Sequence, residues 1–220
     1  MRFYIFKNYH NDLTFLDINC KVGDLYLSQK WEYLLAIGED LRWFEDQKSE
    51  YIDDINNSEN ITLHTINFLS KKTINVIHIL SRMYFTDIWN VIKLYIHDLE
   101  NIIKYKPLSK KKKSVQELYI YSDGRSIKNS SNIVWPNIDL ISSYPTTVQQ
   151  SKLFWKIKNW VSNGIVCTHG IIFQDWDNLT DIYIYDSRRQ YYKSQKDPRY
   201  ETLEVVKVMA DIYNAKLHIM

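Results

Sequence analysis

The run Ile165-Val166-Cys167-Thr168-His169-Gly170-Ile171-Ile172-Phe173, the polar break Gln174-Asp175-Trp176-Asp177-Asn178 and the run Leu179-Thr180-Asp181-Ile182-Tyr183-Ile184-Tyr185 decide the fold class of the second half of this chain. Both runs are rich in β-branched and aromatic residues, and the short polar stretch between them reads as a hairpin connection. The expectation is two antiparallel strands, Ile165 to Phe173 and Leu179 to Tyr185.

Elements on either side extend that reading. Glu117-Leu118-Tyr119-Ile120-Tyr121 reads as a strand ending in the turn residues Ser122-Asp123-Gly124, and Asn132 to Trp135 as a second extended piece. Thr146 to Val161 carries Val148, Leu153, Trp155, Ile157 and Trp160 in a helix-length window that Asn163-Gly164 stops. Asp197-Pro198 opens a helix through Leu203, Val206, Met209, Ala210 and Tyr213, and Lys216 to Met220 reads as a last strand. In order, this resembles the split βαβ, ferredoxin-like arrangement: an antiparallel sheet with two helices. Such a fold hosts many functions and names none.

The N-terminal half reads as helix-rich with a short hairpin. Phe3 to Lys7 and Leu13 to Ile18 are β-prone and separated by Asn8 to Asp12, whereas Ser28 to Phe44 carries Trp31, Leu34, Leu35, Leu41 and Trp43 as a helical region. Tyr51 to Asn60 is polar and reads as loop. Ile88, Trp89, Ile92, Tyr95, Ile96, Leu99 and Ile103 recur at spacings of three and four, one face of a single helix capped by Thr86. The fold class expected overall is α+β. Residues 1–106 form the helix-rich half, 107–114 a Lys-rich linker or loop and 115–220 the α+β half, unless the whole is one continuous domain.

Composition narrows the function classes. The 220 residues are 45% hydrophobic and 25% charged, enough for a packed core without disulfide or metal support. Lys plus Arg number 28 against 26 Asp plus Glu, so no whole-chain field draws it to nucleic acid or an anionic membrane. Lys110, Lys111, Lys112 and Lys113 offer one small phosphate-binding patch, a route to a nucleic-acid partner. The N-terminus lacks the apolar core of a signal peptide, and no stretch is apolar enough to span a membrane, so no membrane partner is expected. Two cysteines, Cys20 and Cys167, make no secreted disulfide framework, and the expected location is the cytoplasm. Abundant Ile, Asn, Lys and Tyr with only 5 Gly fit an AT-rich gene, as in low-GC bacteria, viruses or mobile elements.

Motifs for metal and nucleotide cofactors do not emerge. His64, His78, His97 and His218 are scattered, no C-x-x-C or H-E-x-x-H spacing occurs, and five glycines form no phosphate-binding loop. The expectation is no cofactor and no metal. Asp123, Asp186, Glu201 and Asp211, at strand ends or on the last helix, are the carboxylates that a metal-dependent nuclease would need.

One pair carries catalytic chemistry. On the expected hairpin, His169 and Asp186 lie side by side, and a carboxylate that orients an imidazole is what a catalytic histidine requires. His169-Gly170-Ile171-Ile172-Phe173 followed by Ile182-Tyr183-Ile184-Tyr185-Asp186-Ser187 resembles the His and Asp strands of papain-like and Ulp-type cysteine peptidases over about a tenth of the chain. Ulp-type enzymes place their cysteine after this pair and this chain has none there, so the resemblance implies Cys20 as nucleophile in papain-like order.

Aromatic residues make up 15% of the chain, with 17 Tyr. Tyr183, Tyr185, Tyr191 and Tyr192 beside Arg188 and Arg189 form a Tyr/Arg cluster of the kind enriched at binding hot spots. The leading reading is a non-enzymatic binding protein of immunity or inhibitor type that captures or neutralises a macromolecular partner, most simply another protein. A cysteine hydrolase on Cys20, His169 and Asp186 and a metal-dependent nuclease are the alternatives.

Overall fold

The computed structural model describes residues 3–7, 13–16, 21–27, 33–38, 53–54, 62–106, 114–129, 137–186, 193–194 and 198–220. The chain divides into two compact units, residues 1–74 and 75–220. The expected linker residues 107–113 lie outside the described residues.

The first unit is built on a sheet, which corrects the helix-rich reading of the N-terminal residues. Its strands are β1 (Phe3–Lys7), β2 (Leu13–Leu16), β3 (Leu25–Leu27), β4 (Tyr33–Gly38), β5 (Asp53–Asp54) and β6 (Thr62–Thr65), in the order β5-β2-β1-β4-β3-β6. β1 and β2 pair antiparallel as a hairpin. The helix expected over Ser28 to Phe44 is overturned at β4, which pairs antiparallel with β1 and β3. Leu34, Leu35, Ala36 and Ile37 are all buried, because a strand inside a sheet with both faces covered reads as a continuous apolar run, as a buried helix also does. Gly23 holds φ at +89° where its backbone meets Leu69, whose N–H donates to the Gly23 carbonyl.

Among the described residues the first helix is α1 (Lys71–Met83), within which the division between the units falls. The single helix expected from Thr86 to Ile103 is two, α2 (Ile88–Tyr95) and α3 (Leu99–Lys104). Asp98 is the reason: in extended conformation, its carboxylate accepts the Asn101 N–H at 3.0 Å and starts a new helix. Asp87 takes the N-cap position of α2, and Thr86 Oγ1 instead accepts from the Asn90 side chain.

The second unit overturns the antiparallel, ferredoxin-like expectation. Its strands β7 (Gln116–Tyr121), β8 (Ile138–Leu140), β9 (Gly164–Thr168), β10 (Leu179–Ile184) and β11 (Lys216–Ile219) form a sheet ordered β11-β10-β7-β9-β8. Every pairing in it is parallel. Helices α4 (Gly124–Asn129), α5 (Thr147–Lys158) and α6 (Thr202–Tyr213) connect them. The extended piece expected at Asn132 to Trp135 lies outside the described residues.

The hairpin fails for a physical reason. β9 ends at Thr168, and His169–Ile171 form a 3₁₀ turn, so Ile171, Ile172 and Phe173 do not prolong the strand. They belong to a helix-free crossover that returns the chain to the other side of β7, and they are buried, as are Gln174, Asp175 and Trp176. Three polar side chains pack this link to the rest of the unit. Asp175 pairs with Lys158, the Gln174 side-chain amide donates to the Ile171 carbonyl at 3.2 Å, and Gln116 Oε1 accepts the N–H groups of Asp177 and Asn178. A short polar-looking connection thus conceals a buried crossover, shorter than the helical one that parallel strands usually take.

α5 opens with a complete capping box, in which Thr146 Oγ1 accepts from the Gln149 N–H and Gln149 Oε1 from the Thr146 N–H. α6 ends at Asn214, held at φ 55°. No described helix is long and apolar enough to cross a membrane.

Candidate functional site

Parallel strands covered on both faces are near-continuous in Val, Ile and Leu, but here the pattern alternates. Leu118 and Ile120 of β7, Ile182 and Ile184 of β10, and Ile165 and Cys167 of β9 are fully buried on one side of the sheet. The opposite side carries Glu117, Tyr119 and Tyr121 from β7, Asp181 and Tyr183 from β10, Tyr185 just beyond it, and Lys216 and His218 from β11. Strand register sets them in rows, with Glu117 beside Asp181 and Asp181 beside Lys216, then Tyr119 beside Tyr183 and Tyr183 beside His218.

The rings stack along those rows. Tyr119 and Tyr183 lie 4.6 Å apart between centroids and 5° from parallel, Tyr183 and His218 at 4.3 Å and 9°, and Tyr121 and Tyr185 at 4.3 Å and 11°. With their faces turned to one another, these rings direct edges and hydroxyls outward. The Tyr119 hydroxyl donates to Glu117 at 2.9 Å, and His218 Nε2 lies 2.9 Å from Asp181.

Among the described residues, helix covers only part of this face. Ile127 of α4 packs with Tyr119, Tyr121 and Val166, so α4 lies over β7 and β9. α6 packs against β10 and β11, and its buried Val205, Val206 and Met209 take no part in the tyrosine cluster, which places it on the aliphatic side. Tyr183, Tyr185, Asp181 and His218 stay half-buried.

Burial raises the Tyr119 phenol above its ordinary range, helped by its bond to Glu117, and pushes Tyr185 up to about 12 with help from Tyr121. Tyr183 is also raised, first by burial and then by the charge of Asp181. The bond from His218 holds the Asp181 carboxyl below its usual range. At neutral pH Tyr119, Tyr183 and Tyr185 are therefore neutral phenols beside an ionised Asp181.

The residues expected to be catalytic are placed differently from their sequence reading. His169 and Asp186 follow β9 and β10, which β7 separates, and therefore do not sit on adjacent strands. His169 begins the 3₁₀ turn with its Nδ1 buried and without a hydrogen-bond partner, and burial lowers its pKa. Its carbonyl accepts the Tyr200 hydroxyl at 3.2 Å. Asp186 is exposed at φ 53°, its N–H donating to the Met220 carbonyl. Cys167 is fully buried and its thiol is pushed up by burial. Cys20, Arg188, Arg189, Tyr191, Tyr192 and Lys110, Lys111, Lys112 and Lys113 lie outside the described residues.

Asp123 caps α4. Its carboxylate accepts the N–H groups of Arg125 and Ser126, each at 2.8 Å, and the hydroxyls of Ser122 and Ser126, and these bonds hold its pKa down. Among the described residues no three His, Cys, Asp or Glu side chains gather in a group able to hold a metal ion.

Sequence reasoning singled out Tyr183 and Tyr185 but passed over Tyr119, Tyr121 and His218. The signal was the repeat of Tyr-Ile-Tyr at 119–121 and 183–185, which parallel register turns into a stacked pair of rows. No family model matches this chain, and no curated protein does either.

Proposed function

We propose that the chain is a binding protein that captures another protein on the tyrosine face of its parallel sheet. The observation that carries this reading is the alternation on β7, β10 and β11. Side chains on one side are aliphatic and covered by helix, and those on the other are tyrosine, carboxylate and histidine, of which Asp181, Tyr183, Tyr185 and His218 are left half-buried. Tyrosine offers large rigid contact area together with a hydroxyl that hydrogen-bonds across an interface, and few side-chain torsions have to be frozen. Arg188, Arg189, Tyr191 and Tyr192 follow Tyr185 closely in sequence.

The test compares capture by the native chain, by Tyr183→Asp/Tyr185→Asp and by Lys207→Ala, a control on the exposed side of α6. Circular dichroism verifies that each is folded. A protein held by the native chain and by the α6 control, and released by the double variant, supports the reading. Retention by the folded double variant overturns it.

A further inference from the structure

A hollow of about 320 Å³ opens at the carboxyl end of β8, between the segment Asp139 to Pro145 and one stripe of α5. That stripe is Gln149, Lys152, Leu153 and Lys156, residues three and four positions apart and therefore on one helix face. We propose that this hollow binds a small phosphorylated polyol.

Charge is the first argument. Lys152 and Lys156 both line the hollow from one face of α5, an i,i+4 pair of like charge that works against the helix. One carboxylate faces them, Asp139, which lies 2.5 Å from Lys156. Among the described residues no carboxylate pairs with Lys152, whose neighbour is the ring of Tyr105, 5.3 Å from its centroid. Two cations against one anion leave the hollow net positive. This arrangement suits a phosphate dianion better than a single carboxylate.

The rest of the lining argues for hydroxyl groups on the same ligand. Ser142 and Ser143 supply hydroxyls, and Asp139 supplies a carboxylate oxygen able to accept from an alcohol. Gln149 spends its carbonyl oxygen on the capping box, which leaves its amide N–H groups to donate. Leu140 and Leu153 give the site an apolar portion. The volume falls at the small end of ligand sites. This surface is distinct from the tyrosine face, and its test does not depend on that reading.

The experiment titrates the full chain with glycerol 3-phosphate, inorganic phosphate and glycerol, following amide resonances and thermal stability. Glycerol 3-phosphate is expected to shift amides between 139 and 156 and to raise Tm; inorganic phosphate binds more weakly and glycerol not at all. Lys152→Ala, an exposed position, weakens glycerol 3-phosphate by about tenfold or more, and Lys152→Glu abolishes its effect. Equal binding by inorganic phosphate overturns the polyol assignment. No shift at millimolar glycerol 3-phosphate, or undiminished binding by folded Lys152→Glu, overturns the site.

Discussion

Tyr119 and Tyr183 stand directly opposite each other on neighbouring parallel strands, their rings 4.6 Å apart and within 5° of parallel. The pairing is an energetic unit as well as a surface feature. In a double-mutant cycle, Tyr119→Ala and Tyr183→Ala should couple by about 0.5–1.5 kcal/mol. Tyr119→Ala alone should cost more than Tyr183→Ala, because Tyr119 is the more deeply buried of the two. Denaturant unfolding of the four proteins measures this, and strictly additive losses would contradict it.

Acid should destabilise the second unit earlier than carboxylate titration predicts. Burial holds the imidazole of His169 below its ordinary pKa. The unfolded chain therefore takes up a proton first as pH falls through about 6.5. The contribution of His169 is complete above that value and is lost as pH drops toward the lower native pKa. Urea unfolding between about pH 7.5 and 5 should show declining stability, and His169→Asn should flatten the decline. A native profile that is already flat would rule the effect out.

The ion pair of Lys158 and Asp175 is almost wholly withdrawn from water, with the Asp175 side chain 1% exposed and that of Lys158 11%. Removing one partner strands the other charge, so Asp175→Ala should cost about 3–5 kcal/mol. Asp175→Leu combined with Lys158→Met should recover most of that loss. Equal damage from the single and double changes would mean that packing, rather than charge, dominates at this position.

Gly124 should not tolerate a side chain. A Cβ there would lie 2.0 Å from the Ser142 carbonyl oxygen, a backbone atom that cannot swing aside. Gly124→Ala should cost about 1–3 kcal/mol by forcing apart the start of α4 and the loop after β8. Amide resonances near Ser142 should move with it, and an unperturbed, fully stable variant would contradict the close approach.

Cys167 should resist alkylation in the folded protein. In a Cys20→Ser background, iodoacetamide is expected to label Cys167 only under unfolding conditions, because its thiol is fully buried and held protonated. Rapid labelling of the native protein would show that β9 opens readily.

The sequence was most informative where local chemistry decides the outcome. Thr146 and Gln149 announce the start of α5, and Asn214 its counterpart at the end of α6, because capping depends on residues a few positions apart. Tyr183 and Tyr185 were legible as a cluster for the same reason. Strand direction was not. The polar break 174–178 is as short as a hairpin loop, and nothing within it states that the chain passes β7 to reach the far side. Leu34 to Ile37 misled through their uniform hydrophobicity, which fits a buried strand and a buried helix equally. Tyr119 and His218 join Tyr183 only through pairings distant in sequence, so the row they form becomes visible only once the register is known.

The buried, helix-free crossover also bears on how this unit reaches its native state. β7, the central strand, has both of its neighbours supplied by later parts of the chain, and β10 cannot seat beside it until residues 169–178 have been threaded across. Such non-local closure makes for slow folding and prolongs the life of intermediates with unpaired strand edges. Trp176, fully buried within that link, should therefore be a late reporter: its fluorescence should reach the native value only after the helical signal has recovered in a refolding experiment.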